Sequence, residues 1–112
     1  MPVTPFRFGP KATVTSFSAT STGAHTATAT PTVIKQIILC NTDSTARTVS
    51  VGIGTTSTSS DVAAQRIIST LSLAANETVT YSTNIYLATN DIIYAVSSTA
   101  AVTITINGYV ET

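Results

Sequence analysis

Polar and apolar positions alternate along most of this chain with a period of two, the repeat of a strand dry on one face and wet on the other. "AVTITINGYVE" sets Val102, Ile104 and Ile106 inward against Thr103, Thr105 and Asn107, and Asn107–Gly108 predicts a bulge or bend before Tyr109 and Val110. "RTVSVGI" repeats the pattern, with Val49, Val51 and Ile53 facing in and Thr48, Ser50 and Gly52 facing out. In "ETVTYST", Val79 and Tyr81 share a register and Thr78 and Thr80 oppose them. "AHTATAT" at 24–30 alternates Ala with Thr, which predicts an edge strand or close packing against another layer, ended by Pro31. A weaker strand precedes it around Val14.

"TVIKQIILC" is apolar on both parities. Val33, Ile37 and Leu39 share a face with Lys35, and Ile34, Ile38 and Cys40 share the other with Gln36. Such a strand is central and covered on both sides, or covered by a neighbouring subunit. Asn41, Asp43 and Ser44 then supply turn chemistry, predicting a hairpin into "RTVSVGI". "GTTSTSSD" at 54–61 reads as a loop. "VAAQRIISTLSL" admits helical spacing or a strand, and a strand at 66–72 is preferred. "NIYLATND" leads to a turn at Asn90–Asp91, and "IIYAVSS" is expected to form a second hairpin with the last strand across 97–101.

The N-terminus is different. Pro2, Pro5 and Pro10 remove donors and fix φ, so residues 1–11 read as an extended arm ahead of one domain at 12–112. The arm carries Pro5, Phe6, Arg7 and Phe8, and aromatic residues and Arg are enriched at interfaces. These four are the expected partner-binding residues, docking on a neighbouring subunit; the alternative is that the arm folds back to cap its own domain. Seven to nine short strands separated by polar turns predict an all-β, two-sheet antiparallel β-sandwich, Ig-like or jelly-roll.

Composition adds the character of the surface. Thr occurs 24 times and Ser 13 times among 112 residues, while charged residues are 9 % and the net charge is zero. Ordinary domains carry about 25 % charged residues. With 43 % apolar residues the chain is not of disordered type. An uncharged surface self-repels weakly, which suits a subunit held in an assembly. Cys40 is the only cysteine, so no internal disulfide forms, and its apolar surroundings predict a buried structural thiol. No secretory leader is read at 1–11 and no apolar run approaches the roughly 18 residues of a membrane span, so folding in a reducing cytoplasm is expected.

Chemistry finds little purchase. His25 is the only histidine, and no nucleophile elbow accompanies it. Asp43, Asp61 and Asp91 are isolated, without calcium-loop spacing, and no carboxylate pair is evident. "GIGTTS" lacks the rest of either phosphate-binding fingerprint. Lys11, Lys35, Arg7, Arg47 and Arg66 are too few, and too well cancelled, for nucleic acid. Tyr81, Tyr86, Tyr94 and Tyr109 read as packing residues rather than sugar-stacking ones. "NET" at 76–78 reads as a turn into a strand. No catalytic, cofactor-binding or metal residue is assigned, and no enzyme is expected.

"VIKQIILCNTDSTARTVSVGIG", "SLAANETVTYSTNIYLATNDIIYAVSS" and "AVTITINGYVE" together resemble small β-sandwich virion proteins of tailed bacteriophages. The likeness is one of pattern: an apolar strand ending in a Cys-Asn turn, a returning strand, a Leu-x-x-Asn-Glu-Thr-Val entry, a Leu-x-x-x-Asp corner and a final Val-Thr-Ile-Thr strand. The resemblance implies a non-enzymatic structural role, as a capsid decoration or cement protein, or else as a tail, fibre or head–tail component or a receptor- or glycan-binding tip. It also implies a major capsid or tail protein as partner, a homo-oligomer with a trimer favoured, and assembly in the host cytoplasm.

Overall fold

The structure, a computed structural model, describes residues 3–13, 24–26, 31–55, 63–99 and 101–111. They form eight strands: β1 (Val3–Ala12), β2 (Ala24–Thr26), β3 (Thr32–Asn41), β4 (Arg47–Thr55), β5 (Arg66–Leu73), β6 (Thr78–Leu87), β7 (Asp91–Ser97) and β8 (Val102–Glu111). One 3-10 turn, Ala63–Gln65, leads into β5. Sheet A has the order β1-β8-β3-β6 and sheet B the order β2-β7-β4-β5. Every paired strand runs antiparallel to its neighbour.

The two-sheet sandwich expected from the alternation is present. Its winding follows a simple rule: β1 pairs with β8, β2 with β7, β3 with β6 and β4 with β5. A long ribbon folded at β4–β5 has been wrapped across two sheets, which is the jelly-roll arrangement rather than the Ig-like one. The strand preferred at 66–72 is β5. The weak strand around Val14, the Ala–Thr alternation at 27–30 and the loop beyond Thr55 lie outside the described residues.

Two expectations are corrected here. The hairpins at 41–46 and 97–101 are not hairpins. β3 and β8 lie in sheet A, whereas β4 and β7 lie in sheet B. Turn residues stop a strand but do not choose the sheet that the next one joins. Among the described strands, β4 and β5 are the one consecutive pair joined by hydrogen bonds. The N-terminal arm is likewise no free arm. Residues 3–12 are an edge strand of sheet A, in register with β8 from Val3↔Glu111 to Ala12↔Thr103. The apolar face of Phe6 and Phe8 supplies the reason, since both rings pack against the core.

The core is filled by Ile34, Ile37 and Leu39 of β3, Val102, Ile104 and Ile106 of β8, Val49 and Val51 of β4, Leu73, Leu87, Ile93 and Ala95. Each large member contributes about 1.5–3 kcal/mol by leaving water. On β8 and at Val49 and Val51 the faces are those the alternation predicts. On β3 they are not, because Lys35 is an extra residue against β8 between Ile34 and Gln36, and stands opposite two residues of β6, Thr83 and Asn84. This bulge flips the parity. Ile34 and Ile37 therefore both point inward, while Val33, Gln36, Ile38 and Cys40 take the outer face half-buried. Cys40 is thus a partly exposed surface thiol, not the buried one expected.

The strand covered on both sides is β7. Ile93 and Ala95 enter the core, while Ile92, Tyr94 and Val96 form a second buried cluster on the opposite face. Across on β4 their partners are Gly54, Gly52 and Ser50, three small residues set against three large ones. A Cβ on Gly52 would collide with the Tyr94 ring, so glycine makes room for it. The Tyr94 hydroxyl donates to Gln65 Oε1 at 3.2 Å, tying the 3-10 turn down over sheet B.

Candidate interaction surface

The described carboxylates serve their own turns. Asp43 accepts from Arg47 Nε at 2.9 Å and Nη2 at 2.6 Å, and from the Ser44 amide at 2.7 Å. Glu77 Oε1 accepts from the Ala74 amide at 2.7 Å, and Asp91 Oδ2 from the Ala88 amide at 3.0 Å. Asn76 and Asn90 hold the left-handed backbone (φ 60 and 76) at these turns, as the sequence anticipated for both. Among the described residues no three His, Cys, Asp or Glu side chains gather at one place. His25 lies in β2 opposite Ile93, and Asp61 lies outside the described residues.

The Arg47 guanidinium, hydrogen-bonded to Asp43, holds that carboxyl below its ordinary pKa, and the Ser44 amide adds to the effect. A carboxyl depressed on folding stabilises the fold above its unfolded pKa, about 4, and that contribution is lost as pH falls through the folded value. An Asp43→Asn variant is therefore expected to be slightly less stable than the parent at pH 7. The gap should close in more acidic solution, as urea titrations at a series of pH values would show.

The outer face of sheet A is built by four strands of ten residues each. Its residues stand in cross-strand rows. Thr78, Cys40, Thr103 and Ala12 make one; Thr80, Ile38 and Thr105 the next; Ser82, Gln36, Asn107 and Arg7 a third. Beyond the Lys35 bulge comes a row of Tyr86, Val33, Tyr109 and Pro5. Arg7 is the one charged side chain in these rows. Asn107 Nδ2 donates to Gln36 Oε1 at 2.8 Å, and Lys35 Nζ donates to Asn84 Oδ1. Hydroxyls and amides thus grade into an aromatic-apolar row at one end of the sheet.

The expected partner-binding set divides between the two faces of β1. Phe6 and Phe8 turn toward the sandwich and are half-buried against the core. Pro5 and Arg7 stay exposed on the outer face, where they finish two of the rows. The tyrosines also divide. Tyr94 is buried and Tyr81 packs on the core, as expected for packing residues. Tyr86 is instead 59 % exposed, and Tyr109 is half-buried on the same face. The strands bearing them are two spacings apart, about 9–10 Å, with Val33 between. This juxtaposition needs three strands far apart in sequence and a bulge, so no local signal could have revealed it. Two depressions lie elsewhere. A polar one of about 240 Å³ sits over β4 and β5 beside Ser50, Arg66 and Thr70. An apolar one of about 210 Å³ opens between β5 and β6, lined by Ile37, Ile67, Ile68, Tyr81 and Ile85.

Comparison with protein-family models, with curated proteins and with solved structures finds no match to this chain.

Proposed function

We propose that this chain is a non-enzymatic structural subunit of a tailed-phage virion, a decoration or cement protein seated on the capsid through the outer face of sheet A. The observation that carries the reading is the row of Tyr86, Val33, Tyr109 and Pro5, an apolar strip on an otherwise hydroxyl- and amide-rich outer face whose charges are Arg7 in the next row and Lys35 at the bulge. Aromatic anchors with a polar rim are what a protein interface needs. A surface that self-repels little tolerates dense packing of copies on a shell. Repetition over many sites then turns a modest contact into firm attachment. Jelly rolls build virus shells as well as lectins, so the fold supports this reading only by analogy.

A double Tyr86→Ala, Tyr109→Ala variant tests it. Both side chains lie on the outer face, so the fold should persist, seen as an unchanged circular dichroism spectrum. Attachment to shells lacking the protein should fall about tenfold or more, since each lost aromatic anchor is worth about 1–2 kcal/mol. Unchanged decoration of the shells by that variant, counted by electron microscopy, removes the surface from this role.

The same row favours a second reading, a glycan-binding tip domain. Two tyrosines about 9–10 Å apart, bordered by the amides of Gln36, Asn84 and Asn107, offer stacking faces and hydrogen bonds suited to neutral sugars. Titrating the isolated chain with cell-wall oligosaccharides separates the two readings. Saturable binding lost in the tyrosine variant, together with intact shell attachment, selects the second.

A further inference from the structure

The two sheets end in four edge strands, and an unpaired edge is a template for another chain unless something blunts it. Two are blunted, and the third, β2, is described over Ala24–Thr26 alone. β1 carries Pro5, Pro10, Arg7 and Lys11, with a bulge between Phe8 and Lys11. β5 starts at Arg66 and breaks its ladder twice against β4, with Thr70 in the left-handed region at φ 52 and its amide donating to Ser50 Oγ at 2.8 Å. The fourth, β6, has one register shift against β3, between Ile85 and Ser82, and none of the other devices. "TVTYSTNIYL" is ten residues long, with no charge, no proline and no glycine. Its burial alternates without a break from Thr78 to Tyr86, through the register shift opposite Lys35. Among the described strands β6 pairs with β3 alone. Beside it, Ile67 is 44 % exposed at the mouth of the apolar depression between β5 and β6.

We propose that β6 pairs with β6 of a second copy of this chain, antiparallel about a two-fold axis at Ser82, joining two A sheets into one of eight strands. A two-fold perpendicular to the sheet keeps each face on its own side. It sets Ser82 against Ser82 of the second copy, Thr80 against Asn84 and Thr78 against Tyr86 on the outer face. On the inner face Tyr81 meets Thr83 and Val79 meets Ile85. An isologous contact of this kind forbids a charge near its centre, because the charge would face its own copy. β6 has none. On the neighbouring strand β3, Lys35 is held on Asn84, roughly 13 Å along the strand from Asn84 of the second copy. The contact also brings the second copy over Ile67 and the apolar depression. The pairing rests on the edge of sheet A alone and holds whether or not the chain serves on a virion.

Sedimentation equilibrium of the full chain tests it. The parent should associate as two copies. Ser82→Lys, at an exposed position, should dissociate about tenfold or more readily, because two ammonium groups are forced together. Ser82→Glu should behave alike, and an equimolar mixture of the two variants should regain the two-copy species. Amide exchange of the parent along 78–87 should slow as concentration rises. A parent that stays single, a three-copy species, association that Ser82→Lys leaves unmoved, or exchange independent of concentration overturns the proposal.

Discussion

Gly108→Ala is expected to lower the melting temperature by roughly 12 °C or more, from a loss of about 3 kcal/mol at roughly 4–8 °C per kcal/mol in a domain of this size. Gly108 sits in β8 opposite Ile34, at the place where the Lys35 bulge presses β3 toward its neighbour. A Cβ there would collide with the Val33 carbonyl oxygen and lie 3.0 Å from its carbon and 3.1 Å from Ile34 Cα. All three are backbone atoms of a central strand held by ladders on both sides. No side-chain rotation relieves the overlap, so the two strands must part and lose hydrogen bonds. Asn107→Ala, one residue away, removes only the bond to Gln36 and should cost about 1 kcal/mol or less. Thermal unfolding of the two variants side by side distinguishes collision from general intolerance of the strand.

Asn41→Ala should cost on the order of 2–4 kcal/mol, read from chemical denaturation. Asn41 is fully buried at the end of β3. Its Nδ2 donates to the carbonyls of Thr45 at 3.0 Å, Ala74 at 3.1 Å and Leu73 at 3.3 Å, and its Oδ1 accepts from the Asp43 amide at 3.0 Å. One amide therefore ties the β3–β4 crossing to the end of β5 and to the turn before β6. Truncation leaves the buried Leu73 carbonyl and three part-buried backbone groups without that partner, and a buried group left unmet costs about 1–3 kcal/mol. Asn41→Asp should be worse at neutral pH, because a carboxylate would face three carbonyl oxygens. Burial and those oxygens would raise its pKa, so part of the stability should return as pH falls and the group protonates.

These two positions also mark where reading the sequence succeeds and stops. The faces of Val102, Ile104 and Ile106 were legible because period-two alternation reports directly which side of a strand is dry. The turns at Asn76 and Asn90 were legible because few residues tolerate a positive φ. Asn41 was legible as a turn residue, but its role as a buried tie between crossings was not. Alternation says that a strand has an inner face and is silent on which sheet holds it, so two crossings were read as hairpins. The Lys35 bulge defeated the assignment of β3 because one inserted residue reverses every later face. The arm was misjudged for a related reason: Pro5 and Pro10 exclude a central strand but not an edge one. The aromatic row on sheet A depends on all of these long-range choices at once.

The pairing of Val3 with Glu111 has a kinetic consequence. Sheet A gains its last ladder only when segments separated by nearly the whole polypeptide meet, and that closure carries the largest loop entropy of any pairing here. In sheet B, β4 and β5 are the one consecutive pair of described strands joined by hydrogen bonds, so organisation can spread outward from that bend toward the extremities. So high a contact order places the domain among slow β folders, on the millisecond-to-second scale. Until β1 arrives, the flank of β8 lies open, and intermediates of that kind are the ones most prone to stick to one another.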